Sequence, residues 1–303
     1  MDSIKTYEKI ETLKKEKSAI VLAHNYVSLE VQRAADIVGD SFQLAKAAKE
    51  VAAELIIFCG VRFMAETAKL LNPGVKVILA SSKAGCPMAD MVKVEDLQAF
   101  KAKNPKHIVV CYVNSSVEVK AYSDVCVTSS NAVQIVQKLP FDSPILFIPD
   151  QNLGFYVSQK VGRPIELWQG FCPIHHRGIS PSDVRNAKEK YPSYQIIVHP
   201  ECTPQVVEHA DFVGSTKQLI DYASEHDQLV IGTELNMIKM LQAKYPAKKI
   251  LPLSEKAICT DMGLTTLDDV LVALETEAEE TVVSAEVSEK ALQAINRMLE
   301  MSL

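Results

Sequence analysis

VLAHNY (21–26), VVCYVNSS (109–116) and IIVHPEC (196–202) are three stretches of one pattern. Each begins as a short apolar run rich in Val, Ile or Leu and then breaks into polar residues, as a buried parallel strand does where its end opens on a ligand. Aligning Ala23, Cys111 and His199 gives a step of 88 residues, twice over. VGDS (38–41), VTSS (127–130) and VGST (213–216) each precede helix-period sequence and keep the register, at steps of 89 and 86. IIFCGVRFMAETAKLL (56–71), ILFIPDQNLGFYVSQKV (145–161) and LVIGTELNMIKMLQAKY (229–245) read strand, turn, helix. A short strand follows each of them: VILAS (77–81), PIELW (164–168) and ILPLS (250–254). A cysteine closes each series, Cys86, Cys172 and Cys259, at steps of 86 and 87.

Short strands alternating with helical segments predict an α/β protein with parallel sheets covered by helices. The repeat predicts three similar units, 1–84, 85–170 and 171–260, each small for a domain and so expected to share interfaces. Residues 261–303 read as a helical tail, with a capping-box spacing at Thr266 and Asp269 and an amphipathic run, VSEKALQAINRMLEM (287–301). One large doubly wound sheet is the competing architecture, and four landmarks in register weigh against it.

With 303 residues, 48% hydrophobic and 23% charged, the chain has a globular composition. A formal charge of -6 and no dense Lys/Arg run argue against nucleic-acid binding. The opening stretch MDSIKTYEKIETLKKEKS (1–18) is charged and helix-like, and no apolar run approaches the ~20 residues that cross a bilayer. Neither an export signal nor a membrane span is expected, and the expected location is the cytoplasm. Seven cysteines in such a compartment point to packing, catalysis or metal binding rather than a disulfide framework.

Position sorts the cysteines. Cys59, Cys111 and Cys126 lie inside apolar strands and read as small buried hydrophobes. Cys86, Cys172 and Cys259 follow strands, in loops marked by Gly, Pro or Asp, where a thiolate can face a shared centre. Cys202 stands between packing and active-site lining. Three thiolates from three units meet only if the units surround an axis with strand ends pointing inward. Zinc is disfavoured, since it asks for a fourth ligand and the tight C-x2-C pairs are missing. A 4Fe-4S cluster on three cysteines would leave one iron open to act as a Lewis acid.

His24, Asn25 and Tyr26, then Tyr112 and Asn114, then His199 and Glu201 all fall at strand ends. Ser41, Ser129, Ser215 and Thr216 stand just before helices, where free N–H groups and the positive dipole end seat small anions or where a hydroxyl simply caps the helix. No G-x-x-x-x-G-K-[ST] or G-x-G-x-x-G loop is present, so nucleotide binding has no support.

AHNY, GDS, CPMA around Cys86, YVNSS, TSSNAV, CPIHH around Cys172, VHPE, VGST and GTE, in that order from about residue 20 to 262, together resemble the quinolinate synthase family. The resemblance implies three similar α/β domains in a pseudo-threefold triangle, with Cys86, Cys172 and Cys259 holding a 4Fe-4S cluster at its centre. It implies a transferase-type condensation of iminoaspartate with dihydroxyacetone phosphate to quinolinate, phosphate and water, a step in NAD biosynthesis. An upstream aspartate oxidase or dehydrogenase would supply the imine. Family roles fall on His24, Tyr26, Ser41, Tyr112, Asn114, Ser129, His175, His199, Glu201, Ser215 and Thr216. Glu201 is the expected principal acid/base, assisted by Tyr26 and His199. Tyr112 and Asn114 would hold substrate oxygens, Ser129 and Thr216 carboxylate or phosphate oxygens, and His24, Ser41 and His175 further parts of the substrate. Two other readings compete: a three-unit binding or scaffold protein with structural cysteines, and a cluster-dependent hydro-lyase acting on another hydroxy acid.

Overall fold

The computed structural model describes residues 3–303; Met1 and Asp2, the start of the helix expected over 1–18, lie outside the described residues. From Ser3 to Glu16 that segment is helical. Three sheets follow, each of four parallel strands. The first holds β1 (Ala19–His24), β2 (Ile37–Gly39), β3 (Leu55–Cys59) and β4 (Lys76–Leu79) in the order β2-β1-β3-β4. The second holds β5 (Ile108–Tyr112), β6 (Val125–Val127), β7 (Ile145–Ile148) and β8 (Glu166–Leu167) in the order β6-β5-β7-β8. The third holds β9 (Gln195–Val198), β10 (Phe212–Val213), β11 (Gln228–Gly232) and β12 (Lys249–Pro252) in the order β10-β9-β11-β12. One topology occurs three times, and helices between the strands cover the sheets. The single doubly wound sheet is thereby ruled out.

Both faces of each sheet are buried, which is why the strands read as unbroken apolar runs. In the third sheet the two faces separate cleanly. Ile196, Val198 and Val230 pack with the helix Pro181–Lys190, whereas Ile197, Leu229 and Ile231 pack with the helices Thr216–Glu225 and Leu235–Lys244. Alternate residues of a strand serve opposite layers. Cys59, Cys111 and Cys126 are core residues of the first two units, and Cys202 is buried against the third, its thiol directed at the Gly232 carbonyl.

One signature recurs at one edge pairing of each sheet. Asp36, Asp124 and Asp211 each accept a hydrogen bond from a backbone N–H at the start of the neighbouring strand, Val21, Val109 and Ile196, at 2.7 Å in all three cases. Each aspartate also donates its own N–H to the carbonyl of that same residue. The carboxylate thus extends the ladder by one rung just before the short edge strand begins.

The tail adds two helices. Leu267–Thr276, with its capping box at Thr266 and Asp269, packs on the helix Ser3–Glu16 and on β3. Ala285–Met301 packs on the helices Arg62–Leu71 and Val117–Ala121 and on β6, so it joins the first unit to the second. Between them Glu280 bridges Ile78 and the Thr281 N–H donates to the Val77 carbonyl, covering the open edge of β4.

In each sheet the chain leaves the second strand in the order for one edge and then crosses back to its other side. The crevice this opens lies at the carboxyl ends of β1 and β3, β5 and β7, and β9 and β11. Those ends carry the residues described next.

Candidate active site

A cavity of about 180 Å³ collects side chains from all three units. The ends of β1, β5 and β9 deliver His24, Tyr112, and His199 with Glu201, respectively. Tyr26 follows β1 by two residues, and Asn114 follows β5 by two. Ser41 and Thr216 open the ten-residue helices Ser41–Glu50 and Thr216–Glu225, and Ser129 lies in the turn before Ala132–Lys138. Cys86, Cys172 and Cys259 line the same cavity, and so does His175, from the short helix Pro173–Gly178.

Ser215 stands apart. Its hydroxyl accepts the Gln218 N–H as the cap of Thr216–Glu225, and the side chain does not border the cavity. Asp40 performs that capping role for Ser41–Glu50, which leaves the Ser41 hydroxyl uncommitted to it. His176 also points elsewhere: its Nδ1 meets Asn152 and its ring stacks on Phe171.

Glu201 is the centre of the polar network. Its Oε2 lies 2.7 Å from His175 Nδ1 and 3.5 Å from His199 Nδ1, and the two imidazoles stack with centroids 4.6 Å apart. Burial pushes the Glu201 carboxyl up, but His199 and His175 outweigh it and hold the group at about 2, an ionised carboxylate. Burial lowers His24 to about 4 and His199 to about 3, so both rings are neutral at pH 7. Burial, reinforced by the charge of Glu201, keeps the Tyr26 and Tyr112 phenols protonated. Glu201 Oε1 and Asn114 Oδ1 are buried without a hydrogen-bond partner, two acceptors that a ligand bearing N–H or O–H groups would satisfy.

The thiol loops are pinned by backbone and carboxylates. Arg62, Gln151 and Leu235, each the first residue of the helix after a unit's third strand, donate their N–H to Ala84, Gly170 and Ala257, each two residues before a cavity cysteine. Gly170 is required there, because a Cβ would collide with the Pro149 carbonyl oxygen. The Cys172 N–H donates to Asp150 at 2.9 Å and the Cys259 N–H to Glu234 at 3.3 Å. Asp261, two residues past Cys259, accepts the Gly85 N–H at 3.1 Å and so ties the first cysteine loop to the third. The sequence reading names none of Asp150, Glu234 and Asp261 as a site residue, although Glu234 closes the GTE motif; Asp150 and Glu234 hold matching positions in their units, a signal the repeat contained.

Burial pushes the Cys86 thiol up to about 12, Cys259 to about 11 and Cys172 well above its ordinary value, and Cys86 feels the charge of Cys259 as Cys172 feels that of Cys86. Three half-buried thiols with raised pKa values lining one cavity would lose their protons on binding a cationic metal group. Among the described residues, the ligand atoms that approach within 4.8 Å of one another are those of Cys172, His175 and Glu201, not the three sulfurs. A single tetrahedral ion with Zn–S bonds of about 2.3 Å would draw its thiolates closer than that. Three sulfurs facing one cavity at wider spacing fit a polynuclear group.

Converging strand ends, a buried carboxylate among imidazoles and a thiol from each repeat define an α/β enzyme-type site with a metal-capable donor set. Comparison with known proteins is specific. The family profile "Quinolinate synthetase A protein" matches residues 8–300. Proteins named quinolinate synthase are similar over nearly the whole chain: that of Alkaliphilus metalliredigens is 48% identical over 99% of both chains, and that of Dehalococcoides mccartyi strain CBDB1 49% over 96% of both. That of Caldicellulosiruptor saccharolyticus is 48% identical over 100% of both. The chain belongs to the quinolinate synthase family.

Proposed function

We infer that this protein condenses iminoaspartate with dihydroxyacetone phosphate to quinolinate, releasing phosphate and water, in the cytoplasmic route to NAD. The observation that carries the reading is the shared cavity: Cys86, Cys172 and Cys259, one from each repeat, open on the same space as Glu201. Those three cysteines would hold a 4Fe-4S cluster, which when bound supplies an open iron as Lewis acid for the hydroxyl that leaves as water.

The remaining work falls to the chain's own groups. Both substrates are anions, and Ser41 and Thr216 offer hydroxyls at helix starts where free N–H groups favour carboxylate or phosphate oxygens, with Ser129 beside them. Asn114 Oδ1 and Glu201 Oε1 accept from the imine N–H and the triose hydroxyls. Glu201, ionised and aimed into the cavity, removes the protons that tautomerisation and dehydration release. Tyr26 and Tyr112, protonated, donate to oxygens that gain charge, and neutral His24 and His199 orient the substrate. An upstream aspartate oxidase or dehydrogenase would supply the imine.

Anaerobically purified protein is expected to be coloured, to contain iron and sulfide, and to form quinolinate from dihydroxyacetone phosphate and freshly generated iminoaspartate. Cys259→Ser should lose both colour and product. Colourless, iron-free wild-type protein would favour a scaffold role, and coloured protein that makes no quinolinate would favour a hydro-lyase acting on another substrate.

A further inference from the structure

The three thiol loops share a backbone latch and differ in the side chain that holds them. In the second and third units the residue that caps the helix after the third strand is a carboxylate. Asp150 accepts the N–H groups of Leu153 and Cys172, and Glu234 accepts those of Asn236, Met237 and Cys259. One side chain therefore fastens the start of a helix to the residue that bears the thiol. The matching position in the first unit is Val61, which opens Arg62–Leu71 with no side-chain hydrogen bond and has no acceptor to offer. The Arg62 side chain reaches the Ser82 carbonyl at 3.3 Å, four residues short of Cys86. The first unit thus lacks the clamp that its two counterparts have.

Asp261 fills that gap from another unit. Its Oδ1 accepts the N–H of Gly85, the residue before Cys86, at 3.1 Å, and both Gly85 and Asp261 border the cavity. The backbone of Asp261 serves its own thiol. Burial pushes Cys86 and Cys259 up, and the N–H groups two and three residues further on partly offset this by favouring the thiolate: Met88 and Ala89 in one loop, Asp261 and Met262 in the other. Asp261 and Met88 hold the same place in their turns, and of the two Asp261 carries the carboxylate. A single residue thereby bears on two sulfurs, through its N–H on Cys259 and through its side chain on the loop of Cys86.

We propose that Asp261 is the positioning residue of Cys86, a clamp supplied by the third unit to a loop whose own unit lacks one, and that the hold of Cys86 on a bound cluster depends on this contact. The proposal rests on the reading of Cys86, Cys172 and Cys259 as cluster ligands. It sets the three thiols in order: Cys172 and Cys259 are seated from within their own units, whereas the seat of Cys86 is released by one substitution in a distant part of the chain.

The test uses the cluster-loaded protein and compares Asp261→Ala with Asp261→Asn, which keeps an acceptor oxygen. Iron release to an excess of a ferrous chelator without oxygen is expected to be about 10- to 100-fold faster in Asp261→Ala, the range for partners that orient metal ligands, and within about threefold of wild type in Asp261→Asn. Amide hydrogen exchange, read by mass spectrometry, should rise over residues 84–88 in Asp261→Ala and stay unchanged over 170–174. Wild-type iron release in Asp261→Ala, equal acceleration in both variants, or exchange that rises only over 257–263 or equally over 170–174 would each overturn the proposal. If wild-type protein holds no iron, the cluster reading falls, while the exchange of residues 84–88 still decides the role of Asp261.

Discussion

Glu201 illustrates how a residue acquires reactivity from its surroundings. Alone, its burial would drive the carboxyl to its neutral form; with His175 at 2.7 Å and His199 at 3.5 Å the charged form prevails. Glu201→Gln keeps size and polarity but removes the base. Quinolinate formation is expected to fall by about 10²- to 10⁴-fold, the usual share of a positioned base, with iron content unchanged; a rate near wild type would remove Glu201 from that role. The sequence made Glu201 legible because it sits just past a strand end, as His24 and Tyr112 sit at the corresponding strand ends of the other two units. It could not show Asp150, whose carboxylate acts by accepting the backbone N–H of Cys172 in the next loop. Ser215 and Thr216 make the same point at neighbouring positions: sequence marks both as hydroxyls at a helix start, and only the backbone geometry turns one into the cap and the other towards the cavity.

At the scale of the element, the repeat was visible because strand, helix start and cysteine recur within a few residues of one spacing. The strand ends were less visible. VVCYVNSS stops pairing at Tyr112 and PIELW contributes only Glu166 and Leu167, since apolar composition records burial, not where a ladder finds a partner. The aspartate rung is a device of this scale. Asp124→Ala should destabilise the fold by about 1–2 kcal/mol, the value of a hydrogen bond from a backbone N–H to a charged acceptor at a partly exposed site. Asp124→Asn should cost less, because its amide oxygen still accepts. Chemical denaturation of the two variants measures this, and equal losses would show that the charge, not the acceptor, is what β5 requires.

For the whole molecule, the tail is part of the architecture. Ala291, Ala294, Ile295 and Met298 of the helix Ala285–Met301 are buried against elements of the first and second units. Ile295→Ala is expected to lower the unfolding free energy by about 2–4 kcal/mol, seen as a lower melting temperature; an unchanged melt would mean that this helix rests on the surface. The amphipathic period of that segment could be read from sequence, but not which units it spans, because periodicity gives a face and not its destination.

The order of the three thiol-bearing loops along the polypeptide also bears on biogenesis. Every sheet pairs its four strands within its own segment, so the earlier segments can fold while the ribosome is still translating the later ones. Cys259 emerges last, and the Asp261 tie to Gly85 cannot form before it. Insertion of the proposed 4Fe-4S cluster would therefore be a late event, and stalled nascent chains ending before that loop should carry no iron.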